Sequence, residues 1–168
     1  IWNSENDDIT APTVSSFLPA DNATKVATNS NIILNFSEAV DVETGNIVIY
    51  KASDDSSVET IDVTDGSKVT GSGTNQITIN PGIDLAELTS YYVQIAATAF
   101  DDTYGNSYAG ISDTTSLSFT TADETNPSLS SSAPADNATT VATNSNIILN
   151  FSEAVDVETG NIVIYKAS

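Results

Sequence analysis

The chain has 168 residues, of which twenty-three are acidic and four are lysine. It contains no arginine, histidine or cysteine, so its formal net charge is −19. That charge makes nucleic acid and anionic membranes unsuitable partners. Disulfides, thiolate or imidazole metal ligands and an imidazole general base are excluded. Calcium, a hard cation that prefers carboxylate and carbonyl oxygens, is the cofactor that this composition favours.

Short apolar runs with a period of two, separated by Asp-, Asn-, Gly- and Pro-rich turns, indicate strands along the first 121 residues. They predict an all-β fold, an antiparallel β-sandwich of the immunoglobulin-like or fibronectin type III-like kind. The predicted strands are residues 13–18, 25–27, 31–36, 46–51, 58–64, 68–70, 76–79, 90–97 and 116–121. The faces expected to meet in the core are Ile32, Leu34 and Phe36 on one strand and Tyr91, Val93, Ile95 and Ala97 on another.

The stretch VATNSNIILNFSEAVDVETGNIVIYKAS occurs twice, at residues 26–53 and 141–168. When Pro12 is aligned with Pro127, 37 of 42 residue pairs are identical. The offset of 115 residues is the size of a whole domain rather than of a solenoid repeat. We therefore expect residues 1–9 to be the tail of a preceding unit or a linker. Residues 10–121 would be a complete sandwich, 122–126 a linker, and 127–168 an incomplete second copy, either truncated or completed by a neighbouring chain.

The segment LAELTSYYVQI resembles the tyrosine-corner strand of fibronectin type III and immunoglobulin-like domains, and the resemblance gives Tyr91 the role of the corner tyrosine. The segments APTVSSFLPADNAT, NIILNFSEAVD and LSFTT followed by ADETNP are similar to bacterial Ig-like repeats of large surface and secreted proteins, including the stalks of RTX-type adhesins. This resemblance implies an extracellular tandem array that holds a ligand-binding or anchoring end away from the cell. It also implies calcium near domain junctions and neighbouring repeats as partners.

Acidic residues gather in the predicted linkers and in loops that we expect at the N-terminal end of the sandwich. Carboxylates that converge there could coordinate calcium, which needs six to eight oxygens. The alternative is ordinary solvated surface acidity. The spacing is not that of an EF-hand, because the twelve-residue loop and its closing glutamate are missing. The candidate ligands are Asp7, Asp8, Glu38, Asp41, Glu43, Asp101, Asp102, Asp113, Asp123 and Glu124.

Three other functions fit some part of the sequence. Paired carboxylates can hydrolyse glycosides, but one small sandwich offers little cleft, and we do not expect an enzyme. Tyr104 and Tyr108 lie in a predicted loop where they could stack on a sugar, which would make the domain a glycan- or protein-binding module. The incomplete copy could instead be completed by a neighbouring chain in a filament or lattice. We expect no membrane insertion in this segment, because no apolar run approaches the roughly 20 residues that span a bilayer.

Overall fold

The computed structural model describes residues 8–166, so Asp7, one of the predicted ligands, lies outside the described residues. The chain forms two compact units that divide between Glu124 and Thr125. We call residues 8–124 the first unit and residues 125–166 the second unit. Within the described range, no helix has the length and apolar character needed to cross a membrane.

The first unit is a sandwich of two five-stranded sheets. Its strands are β1 (Val14–Leu18), β2 (Ala23–Val26), β3 (Ile32–Val42), β4 (Asn46–Lys51), β5 (Ser57–Asp62), β6 (Val69–Thr70), β7 (Thr74–Ile79), β8 (Ser90–Ile95), β9 (Phe100–Asp102) and β10 (Ser118–Thr121). One sheet has the order β1-β3-β7-β6, with β9 also paired to β3, and the other has the order β2-β10-β8-β4-β5. Neighbouring strands are antiparallel, except that β2 and β10 run parallel. The predicted Ig-like sandwich is confirmed.

The core of the first unit lies between the two sheets and follows from the alternation of apolar residues. Every second side chain from Ile32 to Phe36 in β3 is buried, and so is every second one from Tyr91 to Ile95 in β8. These side chains belong to one apolar cluster, as the sequence predicts. The prediction for Ala97 is wrong, because β8 ends at Ile95 and Ala97 is exposed beyond it.

Tyr91 ties the loop before β8 to the sandwich. Its hydroxyl oxygen accepts a hydrogen bond from the backbone N–H of Ala86, at 3.0 Å. The hydroxyl of Thr121 in β10 donates to the carbonyl oxygen of the same Ala86, at 2.7 Å. The tyrosine therefore satisfies an otherwise unpaired backbone donor next to the core, as the corner tyrosine of such sandwiches does.

The second unit contains two antiparallel strands, β11 (Leu129–Ala133) and β12 (Ile148–Phe151). Its segment 161–166 has the same sequence, NIVIYK, as β4, yet it is not a strand. In the first unit, β4 lies between β5 and β8 and bonds to both. Among the described residues of the second unit there is no counterpart of those partners, so the same six residues lack the pairing that makes them a strand.

Candidate metal centre

An irregular stretch of β3 places Glu38 at one end of the first unit. The first half of β3 pairs with β7, the register shifts between Asn35 and Val40, and the second half also pairs with β9. Glu38 lies within this shift and is half-buried. Such irregularities redirect side chains that a regular strand would place elsewhere.

Asp102 closes β9 and organises the loop that follows. It is 4% exposed. One carboxylate oxygen accepts hydrogen bonds from the backbone N–H groups of Tyr104 and Asn106, each at 2.8 Å. Its other oxygen accepts from the side-chain amide of Asn106, also at 2.8 Å. The buried charge is thus met by donors from its own loop.

Asn106 connects this loop to the segment that leads into β1. Its side-chain amide also donates to the backbone carbonyl of Asp8, at 2.8 Å. The Asp8 carboxylate accepts from the backbone N–H of Thr10, at 2.9 Å, which makes a local turn. Asp8 is therefore held on the sandwich next to Asp102 before the first strand begins.

Together these elements bring three carboxylates to one place. Oxygens of Asp8, Glu38 and Asp102 all lie within 4.8 Å of one another. Burial, and then repulsion from Asp8 and Asp102, raises the pKa of Glu38. For Asp102, burial acts to raise the pKa, but hydrogen bonds from Asn106, Tyr104 and Gly105 outweigh it and the pKa is lowered. Asp102 is therefore ionised at neutral pH, whereas burial and the two acidic neighbours oppose the ionisation of Glu38.

The donor set suits a hard cation. Three carboxylates supply up to six oxygens, and calcium takes six to eight. Among residues 8–166, the structure pairs lysine with a carboxylate at Lys68 and Glu59, away from this cluster. That ion pair includes none of the three clustered carboxylates.

Other predicted ligands near this end face elsewhere or stand apart. Asp41 and Asp101 are directly opposite each other on β3 and β9, one residue along each strand from the Val40–Asp102 pair. Because neighbouring strand residues point to opposite faces, they lie on the side of the sheet away from Asp102. Asp41 accepts a long hydrogen bond from the Ser72 hydroxyl, at 3.4 Å. The side chain of Glu43 is exposed just past the end of β3.

Three more predicted ligands are placed outside the cluster. Asp113 caps its own turn: hydrogen bonds from the Ser116 hydroxyl and from the backbone of Thr115 and Ser116 lower its pKa to about 2. Glu124 accepts from the N–H and the hydroxyl of Thr28, at 3.2 and 2.7 Å. Thr28 precedes the start of β3, whereas Glu38 lies near its other end, so Glu124 belongs to the opposite end of the first unit. Asp123 is exposed beside it.

The two loop aromatics have different environments. Tyr108 is buried and packs edge-on against Phe36, with ring centroids 5.3 Å apart. Its ring is part of the core and is not available to stack on a sugar. Tyr104 is 60% exposed. Period-two alternation could not reveal the burial of Tyr108, because this residue stands in an isolated loop segment.

The geometry defines a class of protein: an Ig-like β-sandwich module whose incoming segment is held at Asp8 by the Asn106 side chain and whose outgoing segment is held at Glu124 by Thr28. The model of the bacterial Ig-like domain family matches residues 8–121 and again residues 123–167, and the chain belongs to that family. Domains of this family are generally structural modules.

No curated protein is similar enough to the chain to count as a relative. The crystal structure of the S-layer protein rSbsC has 15% sequence identity and a TM-score of 0.45. The similar region covers 73% of this chain and 16% of that one, so the chain spans a small part of the S-layer protein's length.

Proposed function

We propose that this chain is a structural extender repeat of a bacterial extracellular surface protein, in the manner of an adhesin stalk. One observation carries the proposal: the first unit holds its incoming segment at Asp8 and its outgoing segment at Glu124, at opposite ends of β3. At about 3.3 Å per residue, a strand of eleven residues spans about 35 Å. Copies joined through such ends add length instead of folding back.

The repeated sequence supports the same function. Near-identity between copies is expected where the contribution of each copy is a fixed increment of length. A strongly acidic, cysteine-free surface suits an exposed array that must stay soluble. We propose that the domain performs no catalysis, because domains of this family are generally structural modules.

A chain of identical complete repeats tests this function. We expect small-angle X-ray scattering to give a maximum dimension that grows by a nearly constant increment of some 30–40 Å with each added copy of the first unit. Chains of two, three and four copies provide the series, and a single copy provides the baseline. Growth that flattens after two copies would mean that repeats fold back, and the extender function would be wrong.

We also propose that calcium binds the cluster of Asp8, Glu38 and Asp102 and so stiffens the segment that leads into β1. The cluster joins residues from three places in the sequence, all within the first unit. An ion there would replace mutual repulsion with shared coordination. It would fix Asp8, and with it the direction in which the chain enters the sandwich.

Glu38→Gln gives the sharpest test of the calcium proposal. A raised pKa means that ionised Glu38 disfavours the folded state, so stability without an ion is expected to increase as the pH falls through that pKa. The variant should therefore have a higher Tm than the parent in excess chelator. With 5 mM calcium the parent should gain Tm and the variant should gain little.

Glu43→Gln is the matched control, because it removes the same charge from an exposed residue beyond the end of the same strand. It should keep the full calcium response. Differential scanning calorimetry at several calcium concentrations measures all three proteins. An equal response in the parent and in Glu38→Gln would reject this cluster as the site, while the length series would still test the extender function by itself.

A further inference from the structure

Strand β5 lies at the edge of its sheet in the first unit. Among the described residues its strand partner is β4, on one side only. Four strands end the orders of the two sheets, β1, β2, β5 and β6, and β5 is the longest of them, with six residues. A strand at a sheet edge offers unpaired backbone groups to a strand of another chain. Length therefore makes β5 the edge at which this domain is most open to pairing with a second copy.

The side chain of Glu59 points into the sandwich from this edge. Glu59 and Ile61 are two residues apart and share a face of β5, and Ile61 belongs to the core, with 1% exposure. The Glu59 side chain is itself 9% exposed. One of its carboxylate oxygens, Oε2, is shielded from solvent and has no hydrogen-bond partner among the described residues. An apolar residue at this position would avoid the free-energy cost of removing a charge from water.

Lys68 pairs with Glu59 from the other sheet. It immediately precedes β6, which ends the order of that sheet. Its ammonium group donates to the other carboxylate oxygen of Glu59, Oε1, and to the carbonyl oxygen of Pro81, at 3.3 Å. The backbone carbonyl of Lys68 accepts from the N–H of Asn80 at 2.7 Å, which fixes the lysine on its own sheet. The ion pair therefore joins the two sheets at the side where β5 and β6 are the edges.

This ion pair keeps part of its contact with water. The side chain of Lys68 is 32% exposed, so water still reaches the lysine. A strand added to β5 would extend the sheet beyond Glu59 and cover the opening between the two edges. Both charges would then lose water, and the cost of burying an ion pair can exceed the attraction between its members. The charges beneath β5 therefore oppose the addition of a strand.

The backbone of β5 opposes pairing as well. Ile49 of β4 is opposite Glu59, whereas the next residue, Tyr50, is opposite Ser57. Val58 is therefore an extra residue in β5, and the register shifts there. Bulges and inward-pointing charges are both devices by which natural sheet edges avoid pairing with other chains. Two separate features of the same strand thus act in the same direction.

We propose that the Glu59–Lys68 pair keeps β5 from pairing with β5 of a second copy of this chain. Identical chains present identical edges, and a contact between two such edges needs no second kind of surface, because it closes on a two-fold axis. The pair then keeps the domain from associating and adds little to its stability. This inference goes beyond the extender function, because it concerns contacts between chains that lie side by side and not the length of one chain.

Replacement of the pair by apolar side chains, Glu59→Leu/Lys68→Met, is the first test. The Tm of this double variant should equal or exceed that of the parent, because folding no longer removes two charges from water. Sedimentation equilibrium should give a dimer dissociation constant at least tenfold below that of the parent. Amides 57–62 should gain at least tenfold protection from hydrogen exchange as the protein concentration rises. A folded double variant that associates no more than the parent would overturn the proposal.

Glu43→Leu/Lys25→Met is the matched control, because it makes the same two changes at exposed positions outside β5. It should sediment like the parent. Equal dimerisation of the control and of Glu59→Leu/Lys68→Met would mean that added apolar surface drives association, and the proposal would be rejected.

Glu59→Gln/Lys68→Gln provides a test that does not depend on whether the apolar pair folds. It removes both charges and keeps side chains that can hydrogen-bond to each other. We expect its dimer dissociation constant also to lie at least tenfold below that of the parent, with added protection at amides 57–62. Association unchanged from the parent in this folded variant would show that the charges do not guard the edge.

Discussion

Leu34→Ala is expected to reduce the free energy of unfolding of the first unit by about 2–5 kcal/mol. Leu34 is completely buried, lies near the start of β3, and opposes Ile77 of β7. Truncation removes its buried methyl groups and leaves a cavity that two hydrogen-bonded sheets cannot easily close. Urea denaturation followed by circular dichroism measures the effect as a lower midpoint.

Leu149→Ala is the matched control, in the same local sequence. Because Leu149 is 41% exposed, the same truncation should change the urea midpoint by the equivalent of about 0.5 kcal/mol or less. A similar loss at both positions would show that the second unit is closed over Leu149 in solution, contrary to the structure.

Gly110→Ala is expected to lower the free energy of unfolding of the first unit by about 3 kcal/mol and to loosen the loop that supports the candidate metal centre. Gly110 has φ +72°, which L-residues adopt at a cost of about 1–2 kcal/mol. An added Cβ would also lie 2.4 Å from the carbonyl oxygen of Ile95. Ile111 hydrogen-bonds to Ile95 through both backbone groups, so neither β8 nor the segment at Gly110 can retreat without breaking those bonds. The urea midpoint should fall, and amides 103–107 should exchange faster.

Gly105→Ala separates the two causes of that loss. Gly105 is in the same loop with φ +85°, but a Cβ added there would have nothing within 4 Å. This control should therefore lose only the conformational part, about 1–2 kcal/mol. If both variants lose the same amount of unfolding free energy, the close approach of the backbone at Gly110 does not contribute to the loss.

The sequence is sufficient to predict the sandwich because its strands alternate clearly. The predicted strands 31–36 and 90–97 agree with β3 and β8 to within two residues at most of their ends. The exception is the end of β3, which continues to Val42 past an irregularity that alternation does not reveal. Strand β9 is not predicted, because its three residues, Phe100–Asp102, are too few to show the alternation of a strand. Their place in a sheet depends on pairing with a distant part of β3.

For the candidate site, the sequence shows which residues have side chains able to bind a cation. It does not show which of those side chains lie close together. Acidity and loop placement select ten carboxylates, of which the structure brings Asp8, Glu38 and Asp102 together. Asp113 and Glu124 satisfy local backbone and hydroxyl donors instead. Asn106, which holds the cluster in place, shows in the sequence only as an amide four residues after Asp102. Such roles depend on distances across strands, which composition cannot supply.

The dependence of β4 on later parts of the chain has a consequence for synthesis on the ribosome. Its partner β8 follows after 44 residues, counted from Asn46 to Ser90. At about 5–20 residues per second, β4 waits roughly 2–9 seconds for that strand to be made. Until β8 emerges, the edge of β4 that it pairs with has no partner from its own domain.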